Sequence, residues 1–263
     1  MVSMRATGPT SLSRQYVRVL LRCCAVAVAM AGCVIESLLW RVTRRHDRPR
    51  EYALHRWSGW LLRRLGVDVA VAGAAPPRGL IVSNHLSYLD ILLFSSIIPC
   101  SFVSKSEIKW WPGIGWAASM AGAIYIDRAQ ASATRHLQSR ISAALARGTR
   151  LVLFPEGTSG DGRAVMRFHS SLLQAAVEDR APITTACVKY ELEDGDPRLD
   201  VCYWGDMMLV PHAIKLFRKK RIRAQVCFST GRIYTDRKRA ARELWEEVST
   251  LANGNWRVTT DVD

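Results

Sequence analysis

A histidine and an aspartate five residues apart, His85 and Asp90, form a pair that could carry out acid–base chemistry. Histidine is the side chain best suited to shuttle a proton near neutral pH, and a carboxylate can orient its ring and stabilise the imidazolium. An apolar, strand-like run ends at Ser83, and an apolar, helix-like run begins at Ile91. In one continuous helix the two side chains would point about 140° apart. The pair can therefore meet only if His85 lies in the turn and Asp90 lies in the first turn of the helix.

The same residues also allow a purely structural interpretation. Ser87 is a good helix N-cap, which would place Asp90 at the third helical position. This arrangement resembles a capping box, in which the Asp90 carboxylate returns a hydrogen bond to the Ser87 backbone. On this stretch alone both interpretations stay open. A second stretch bears on the choice, because residues 154–158 (Phe-Pro-Glu-Gly-Thr) follow another apolar, strand-like run.

Three sequence blocks occur in order along the chain: N-H-x-x-x-x-D at 84–90, G-x-I-x-x-D-R at 122–128 and F-P-E-G-T at 154–158. Together they resemble the glycerophospholipid acyltransferase family, of the 1-acylglycerol-3-phosphate acyltransferase type, over roughly residues 57–210. The resemblance implies an enzyme that transfers a fatty acyl group from a thioester to the hydroxyl of a lysolipid. It also implies an α/β fold with a mostly parallel central sheet flanked by helices and an N-terminal membrane-associated helical segment.

The family resemblance assigns roles to residues of the first two blocks. His85 is predicted to be the general base that takes the proton of the acceptor hydroxyl, and Asp90 is predicted to orient it. Arg128 is predicted to clamp the acceptor phosphate, because a guanidinium binds phosphate through two N–H groups. Without the surrounding block, Arg128 would be interpreted as an ordinary surface charge. The substrate supplies the nucleophile in this scheme, so the enzyme needs no nucleophilic serine.

The third block is associated with acceptor binding. Its residues Glu156, Gly157 and Thr158 are predicted to contribute to that site, and their backbone amides could also stabilise the oxyanion. Ser159 lies in a stretch similar to the G-x-S-x-G elbow that carries a hydrolase nucleophile. That alternative fails because Asp161 stands where the second glycine is required.

Several positions depart from the family pattern and leave the acceptor headgroup open. Ser159 stands where the family often has arginine, and residues 183–186 lack the proline of the usual fourth block. Residues 205–212 resemble a bacterial subgroup that includes lyso-ornithine-lipid acyltransferases. The first candidate acceptor is 1-acyl-sn-glycerol-3-phosphate, which would give phosphatidic acid. The alternative is lyso-ornithine lipid or another lysolipid, because Ser159 removes a positive charge.

Composition and charge limit the kinds of partner that the protein can have. The chain has 263 residues, 49% of them hydrophobic, and a net charge of +14. Such a charge favours an anionic partner, and an anionic membrane surface is preferred over nucleic acid, because no nucleic-acid-binding motif occurs. The seven cysteines form no C-x-x-C pair, so buried thiols in a reducing compartment are predicted, with no metal site. No cofactor is predicted; acyl-CoA or acyl-carrier protein would be the acyl donor.

The N-terminal part predicts attachment to a membrane. Residues 1–50 are predicted to contain a disordered start, a membrane-associated helix in Val17–Trp40 and a basic cluster in Arg41–Arg50; residues 51–263 form the acyltransferase domain. The uninterrupted apolar part, Cys23–Ile35, is shorter than the roughly twenty residues that a spanning helix needs. A marginal spanning helix and a helix lying in the membrane interface therefore both remain possible. The expected location is the cytoplasmic face of a membrane.

Two other classes of function are disfavoured. Residues 30–33 resemble a lipoprotein signal, but Met30 is an imperfect match, and export would separate the enzyme from cytosolic acyl donors. A membrane-binding protein without catalytic activity would not need His85, Asp90, Arg128 and Glu156 together.

Hydrophobic periodicity predicts alternating strands and helices, which is typical of a layered α/β domain. Helices are predicted over residues 51–65, 91–98, 130–146, 168–178 and from 236 to 251. Strands are predicted over residues 67–71, 80–83, 101–104, 123–126, 150–154, 183–188, 199–204 and 221–228.

Overall fold

The computed structural model describes residues 9–42, 51–105, 115, 123–126, 131–254 and 256. Within them lies a seven-stranded sheet with the strand order β1-β7-β6-β2-β5-β3-β4. Every neighbouring pair is parallel except β6 and β7, which are antiparallel. The predicted mostly parallel sheet is therefore confirmed. The strands are β1 Val67–Ala72, β2 Gly79–Ser83, β3 Ser101–Lys105, β4 Ile124–Ile126, β5 Arg150–Leu153, β6 Ile183–Leu192 and β7 Ile222–Phe228.

Helices cover both faces of the sheet. They are α1 Pro9–Val42, α2 Glu51–Leu65, α3 Leu89–Ile97, α4 Ala131–Ala146, α5 Gln174–Glu178, α6 Pro197–Asp200, α7 Leu209–Arg218 and α8 Arg237–Asn253, with a 3₁₀ turn at Ser170–Leu173. The apolar core on one face includes residues of α1, α2, α3 and α7, and the core on the other face includes residues of α4, α5 and α8. Strands covered on both faces are apolar throughout, which explains why β2 is buried at all five positions.

The sheet topology places the candidate site. Strands β2 and β5 are parallel neighbours, with Val82 paired to Leu153. The loop after β2 carries His85, and the loop after β5 carries Glu156. Because the carboxyl ends of parallel strands meet at one edge of a sheet, the first and third sequence blocks converge there.

Two predicted elements differ in type from the structure, and the strand predicted over 183–188 extends to Leu192 as β6. The strand predicted over 199–204 is wrong: the chain forms the short helix α6, which Asp196 caps by accepting a hydrogen bond from the Arg198 backbone N–H at 2.9 Å. Pro197 occupies the first helical position, where its missing N–H costs nothing. The single helix predicted over 168–178 is a 3₁₀ turn followed by α5.

Helix α1 packs on the domain through two buried charged residues. The Arg22 guanidinium donates to the carbonyls of Phe217 at 3.0 Å and Lys219 at 2.6 Å, at the C-terminal end of α7. Those carbonyls carry the negative end of the helix dipole, so a buried cation is stabilised there. Further along α1, Glu36 accepts hydrogen bonds from Arg56 at 2.8 Å and from the Trp57 indole at 2.9 Å.

A glycine permits this close helix packing. A Cβ atom built on Gly32 would lie 2.1 Å from Cζ2 of Trp57, so only glycine fits against the indole. The opposite side of α1 leaves large apolar side chains in solvent: Tyr16, Val17, Leu20, Leu21, Val28, Ile35, Leu38 and Leu39. Residues Ser13–Leu39 are long and apolar enough to cross a membrane, by length and composition alone. Cys23 and Cys24 are also exposed on this helix, so the prediction that the thiols are buried is wrong for them.

Candidate active site

Asn84 turns the chain out of β2 at the edge of the sheet. Its side-chain oxygen accepts the Val188 backbone N–H at 2.8 Å, and its amide donates to the Val188 carbonyl at 3.0 Å. The asparagine thus replaces a peptide group in the ladder between β2 and β6. These two hydrogen bonds fix the position at which the next residue, His85, leaves the sheet.

The His85 and Asp90 side chains meet as the spacing requires. Nδ1 of His85 lies 2.8 Å from Oδ2 of Asp90. The same oxygen accepts the backbone N–H groups of Leu86 at 2.7 Å and Ser87 at 3.0 Å. Helix α3 begins at Leu89, so the predicted N-cap at Ser87 is wrong, and Asp90 is the second helical residue. The capping bond and the imidazole contact nevertheless coexist on one carboxylate, so the two interpretations do not exclude each other.

The surroundings of Asp90 determine the tautomer of His85. Asp90 is completely buried, and its Oδ2 already accepts two backbone N–H groups. A carboxylate oxygen in this position accepts, so Nδ1 of His85 is the donor and Nε2 carries the lone pair. The hydroxyl of Tyr190 donates to Oδ1 of Asp90 at 2.6 Å. Burial, and then the nearby Asp90 carboxylate, raise the pKa of Tyr190 well above its ordinary value, so it stays a donor.

Phe154 fixes the plane of the imidazole. The rings of His85 and Phe154 are stacked, with centroids 4.1 Å apart and planes inclined by 13°. Phe154 is buried, and the side chain of His85 keeps 18% of its surface exposed. The imidazole is therefore packed on one side and accessible on another.

Glu156 ties the loop after β5 to the His85 loop. Its Oε1 accepts the backbone N–H of His85 at 2.8 Å, and its Oε2 accepts that of Met166 at 2.9 Å. The Gly160 N–H donates to the His85 carbonyl at 2.8 Å and completes the connection. Burial raises the pKa of Glu156 to about 7, although the two backbone donors oppose the rise. Glu156 thus holds the backbone of the catalytic candidate, a role that the sequence did not reveal.

Comparisons with known proteins agree with this geometry. The family model described as Acyltransferase matches residues 68–189. A lyso-ornithine lipid O-acyltransferase from Pseudomonas aeruginosa is 34% identical over 200 residues, covering 74% of this chain and 76% of that protein. The chain belongs to the acyltransferase family. The resemblance inferred from the three sequence blocks is thereby confirmed, and the protein is an acyltransferase.

Two further similarities extend over more of this acyltransferase. A lyso-ornithine lipid O-acyltransferase from Rhizobium meliloti is 29% identical over 259 residues, covering 92% of this chain and 88% of that protein. The crystal structure of the 1-acyl-sn-glycerophosphate acyltransferase PlsC from Thermotoga maritima superposes with a TM-score of 0.69 at 18% identity, covering 94% of this chain and 99% of that one. The latter shows that the two proteins share a fold.

The remaining residues of the third block are placed differently from Glu156. Gly157 has a positive φ of 74°, and its N–H donates to the Phe154 carbonyl at 3.1 Å, so this amide is used within the turn. Thr158 is exposed. Ser159 donates its hydroxyl to the Tyr203 carbonyl, which engages it in loop packing. Acceptor binding by Glu156, Gly157 and Thr158 stays a prediction.

Arg128, the predicted phosphate clamp, lies outside the described residues, as do Gly122 and Asp127 of the same block. Its role in the acyltransferase also stays a prediction. Sequence reasoning missed Tyr190 and Phe154 as supports of the His85–Asp90 pair. Tyr190 lies two residues beyond the strand predicted over 183–188, and the signal that could have found it is chemical, because a buried tyrosine needs a partner for its hydroxyl.

Proposed function

We propose that the protein transfers a fatty acyl group from an acyl thioester to the free hydroxyl of a lysolipid, with His85 as the general base. The observation that supports this proposal is the 2.8 Å contact between Nδ1 of His85 and the buried Asp90 carboxylate. It leaves Nε2 as the nitrogen that can accept a proton. The two sequence relatives described above support the substrate class, because both are named lyso-ornithine lipid O-acyltransferases.

The reaction follows from this arrangement in two steps. Nε2 of His85 takes the proton of the acceptor hydroxyl while the hydroxyl oxygen attacks the thioester carbonyl carbon, and Asp90 stabilises the imidazolium that forms. The tetrahedral intermediate then collapses, the carbon–sulfur bond breaks, and the imidazolium returns its proton to the leaving thiolate. The donor is acyl-CoA or acyl-carrier protein, and the steps require no other reactant.

The acceptor has two candidates. Formation of phosphatidic acid from 1-acyl-sn-glycerol-3-phosphate is the first, since the sequence blocks resemble that type of enzyme. Acylation of lyso-ornithine lipid is the second, and it is favoured by Ser159, which bonds to the Tyr203 carbonyl and supplies no cation for a phosphate. An acceptor panel with both lysolipids and lysophosphatidylcholine, using labelled acyl-CoA, separates these candidates.

The role of His85 is tested by its removal. His85→Ala should lower the turnover number by about 10²–10⁴, because a positioned general base contributes that much to rate. Asp90→Asn should also be severe, since the imidazole loses its charged partner. Thiol release from acyl-CoA by the purified full chain measures both variants. Retention of more than about a tenth of the wild-type rate by His85→Ala would remove the residue from the mechanism.

We also infer that α1 lies in the membrane interface and does not cross the bilayer. Arg22 and Glu36, about 21 Å apart along the helix at 1.5 Å per residue, both contact the folded domain. A helix held along its side by a polar domain cannot be surrounded by lipid, whereas its exposed apolar face can enter one leaflet. The net charge of +14 supports an anionic, cytoplasmic surface as the partner.

Substitutions on the outer face test this attachment without disturbing the packed face. Leu20 and Leu21 are 64% and 63% exposed, so Leu20→Asp combined with Leu21→Asp should preserve the fold and weaken binding to vesicles of anionic phospholipid. Leu199→Asp, on the exposed surface of α6, is the matched control. Vesicle flotation measures the bound fraction. Unchanged flotation of the double variant would place the anchor elsewhere in the chain.

A further inference from the structure

Helix α7 presents an apolar row to solvent. Val210 and Ile214 are at positions i and i+4, so they lie on the same face of the helix. Val210 is 65% exposed and Ile214 is 37% exposed, and Met208, just before the helix, is 72% exposed. The next residue of the row, Arg218, is exposed as well. This α7 strip, formed by Val210, Ile214 and Arg218, therefore has an apolar part and a basic end.

The basic end of the α7 strip contacts α1. Nη1 of Arg18 donates to the Arg218 carbonyl at 2.8 Å. The residues of α1 around Arg18 point apolar side chains into solvent, since Val17, Leu20 and Leu21 are 55%, 64% and 63% exposed. The α7 strip thus continues the outer apolar face of α1, which is the face proposed above to enter the membrane.

The opposite face of α7 contacts the segment that holds His85. His212 is two positions from both Val210 and Ile214, which turns its side chain about 160° away from theirs. It is buried, and its Nδ1 lies 3.1 Å from the hydroxyl of Tyr88. Tyr88 belongs to the same segment between β2 and α3 as His85. Because a helix with its side chains is about 10–12 Å across, the α7 strip lies about one helix diameter from this segment.

The charge beside the α7 strip favours an anionic surface as its partner. Arg218 and Lys220 are exposed, and neither side chain forms an ion pair within the part of the chain that the structure describes. Asp206, which is exposed in the loop before α7, lies at the other end of the helix. An apolar row flanked by arginine and lysine is typical of helices that lie in the membrane interface.

We propose that the α7 strip docks on an anionic phospholipid bilayer, in the same leaflet as α1, and holds the sheet edge with His85 against the membrane. The acceptor then presents its hydroxyl to His85 while its acyl chain stays among the lipids. The identity of this acceptor rests on the proposed function, whereas the docking itself requires no catalysis.

Flotation of the full chain with vesicles of phosphatidylglycerol and phosphatidylcholine tests the docking. Val210→Asp should lower the partition coefficient about tenfold, because an apolar side chain leaves the lipid. Ile233→Asp is the matched control, since Ile233 is 62% exposed and the added charge is the same. Its neighbour Arg232 pairs with Ile183 at the start of β6, which is the sheet edge opposite the His85 segment. Equal partition of Val210→Asp and the control would refute the docking.

A second pair of variants tests the basic end. Arg218→Gln combined with Lys220→Gln should weaken binding to the anionic vesicles about tenfold or more and leave binding to vesicles of phosphatidylcholine alone unchanged. Lys238→Gln combined with Arg242→Gln removes the same charge from the exposed surface of α8 and is the control. Equal losses for the two double variants would show that only the net charge matters, which contradicts docking through α7.

Activity separates the docking from the proposed function. With lyso-ornithine lipid in vesicles, Val210→Asp should raise the acceptor KM about tenfold; with a short-chain analogue dissolved as monomers, KM should stay unchanged. Equal increases for both would place the effect in the site itself and overturn the docking. A change of oligomeric state without a change in flotation would make the strip a contact between copies of this chain, and the inference would be wrong. If the wild type acylates no lysolipid, the proposed function fails, and flotation still decides the docking.

Discussion

The pKa of Glu156 makes the stability of the protein depend on pH. Burial raises this pKa from the ordinary value of 4.5 to about 7. Between these values the folded protein holds a proton that the unfolded chain has lost, so the free energy of unfolding falls as the pH rises. The contribution is fully present below the unfolded pKa and is lost as the pH passes through the folded pKa. Between pH 5 and pH 8 the loss amounts to about 2–3 kcal/mol, since one pKa unit corresponds to about 1.4 kcal/mol.

Glu156→Gln should remove this dependence. Glutamine cannot ionise, so the unfolding free energy of the wild type minus that of the variant should fall by about 2–3 kcal/mol from pH 5 to pH 8. Urea unfolding of the full chain in mild detergent at each pH measures it. Glu246→Gln, on the exposed surface of α8, reports the effect of an added amide alone. A difference for Glu156→Gln that stays constant across this range would refute the assignment of the titration to Glu156.

Two further substitutions test the supports of the site and of the N-terminal helix. Tyr190→Phe leaves Oδ1 of the buried Asp90 without its 2.6 Å donor, so it should lower the free energy of unfolding by about 1.5–3 kcal/mol and also lower kcat. Tyr52→Phe, at an exposed tyrosine, is the control. Equal stability of the two variants would contradict the role of Tyr190 as a support of Asp90. Gly32→Ala places a methyl group 2.1 Å from the Trp57 ring and should weaken the packing of α1 on α2 by about 1–3 kcal/mol. Faster proteolysis between the two helices measures this effect, and proteolysis at the wild-type rate would show that the indole moves aside freely.

Local features of the sequence predicted local structure well. The apolar periodicity of residues 51–65 gave the bounds of α2, and Asp236 caps α8 by accepting the Arg239 backbone N–H at 2.7 Å. The contact between His85 and Asp90 belongs to the same class, because a turn and the first turn of a helix determine it. In each case the residues that decide the geometry lie within a few positions of one another.

The rest of the site depends on contacts between distant residues. Glu156 lies 71 residues after His85, and Tyr190 lies 100 residues after Asp90. No spacing rule connects such pairs, because the sheet order brings them together. The strand wrongly predicted over 199–204 has a local cause instead. Its apolar residues favour a strand, but the Asp196–Pro197 pair just before them is a helix-start signal, and the helix forms.

The backbone and the ring of His85 are both held by neighbouring residues. The His85 backbone is bonded at its N–H by Glu156 and at its carbonyl by Gly160, and its ring is held by Asp90 and Phe154. The proposed base is therefore positioned before any substrate arrives, which lowers the entropic cost of reaching the transition state. Because the same imidazole would serve any acceptor hydroxyl, differences in acceptor preference should arise from residues outside the His85–Asp90 pair.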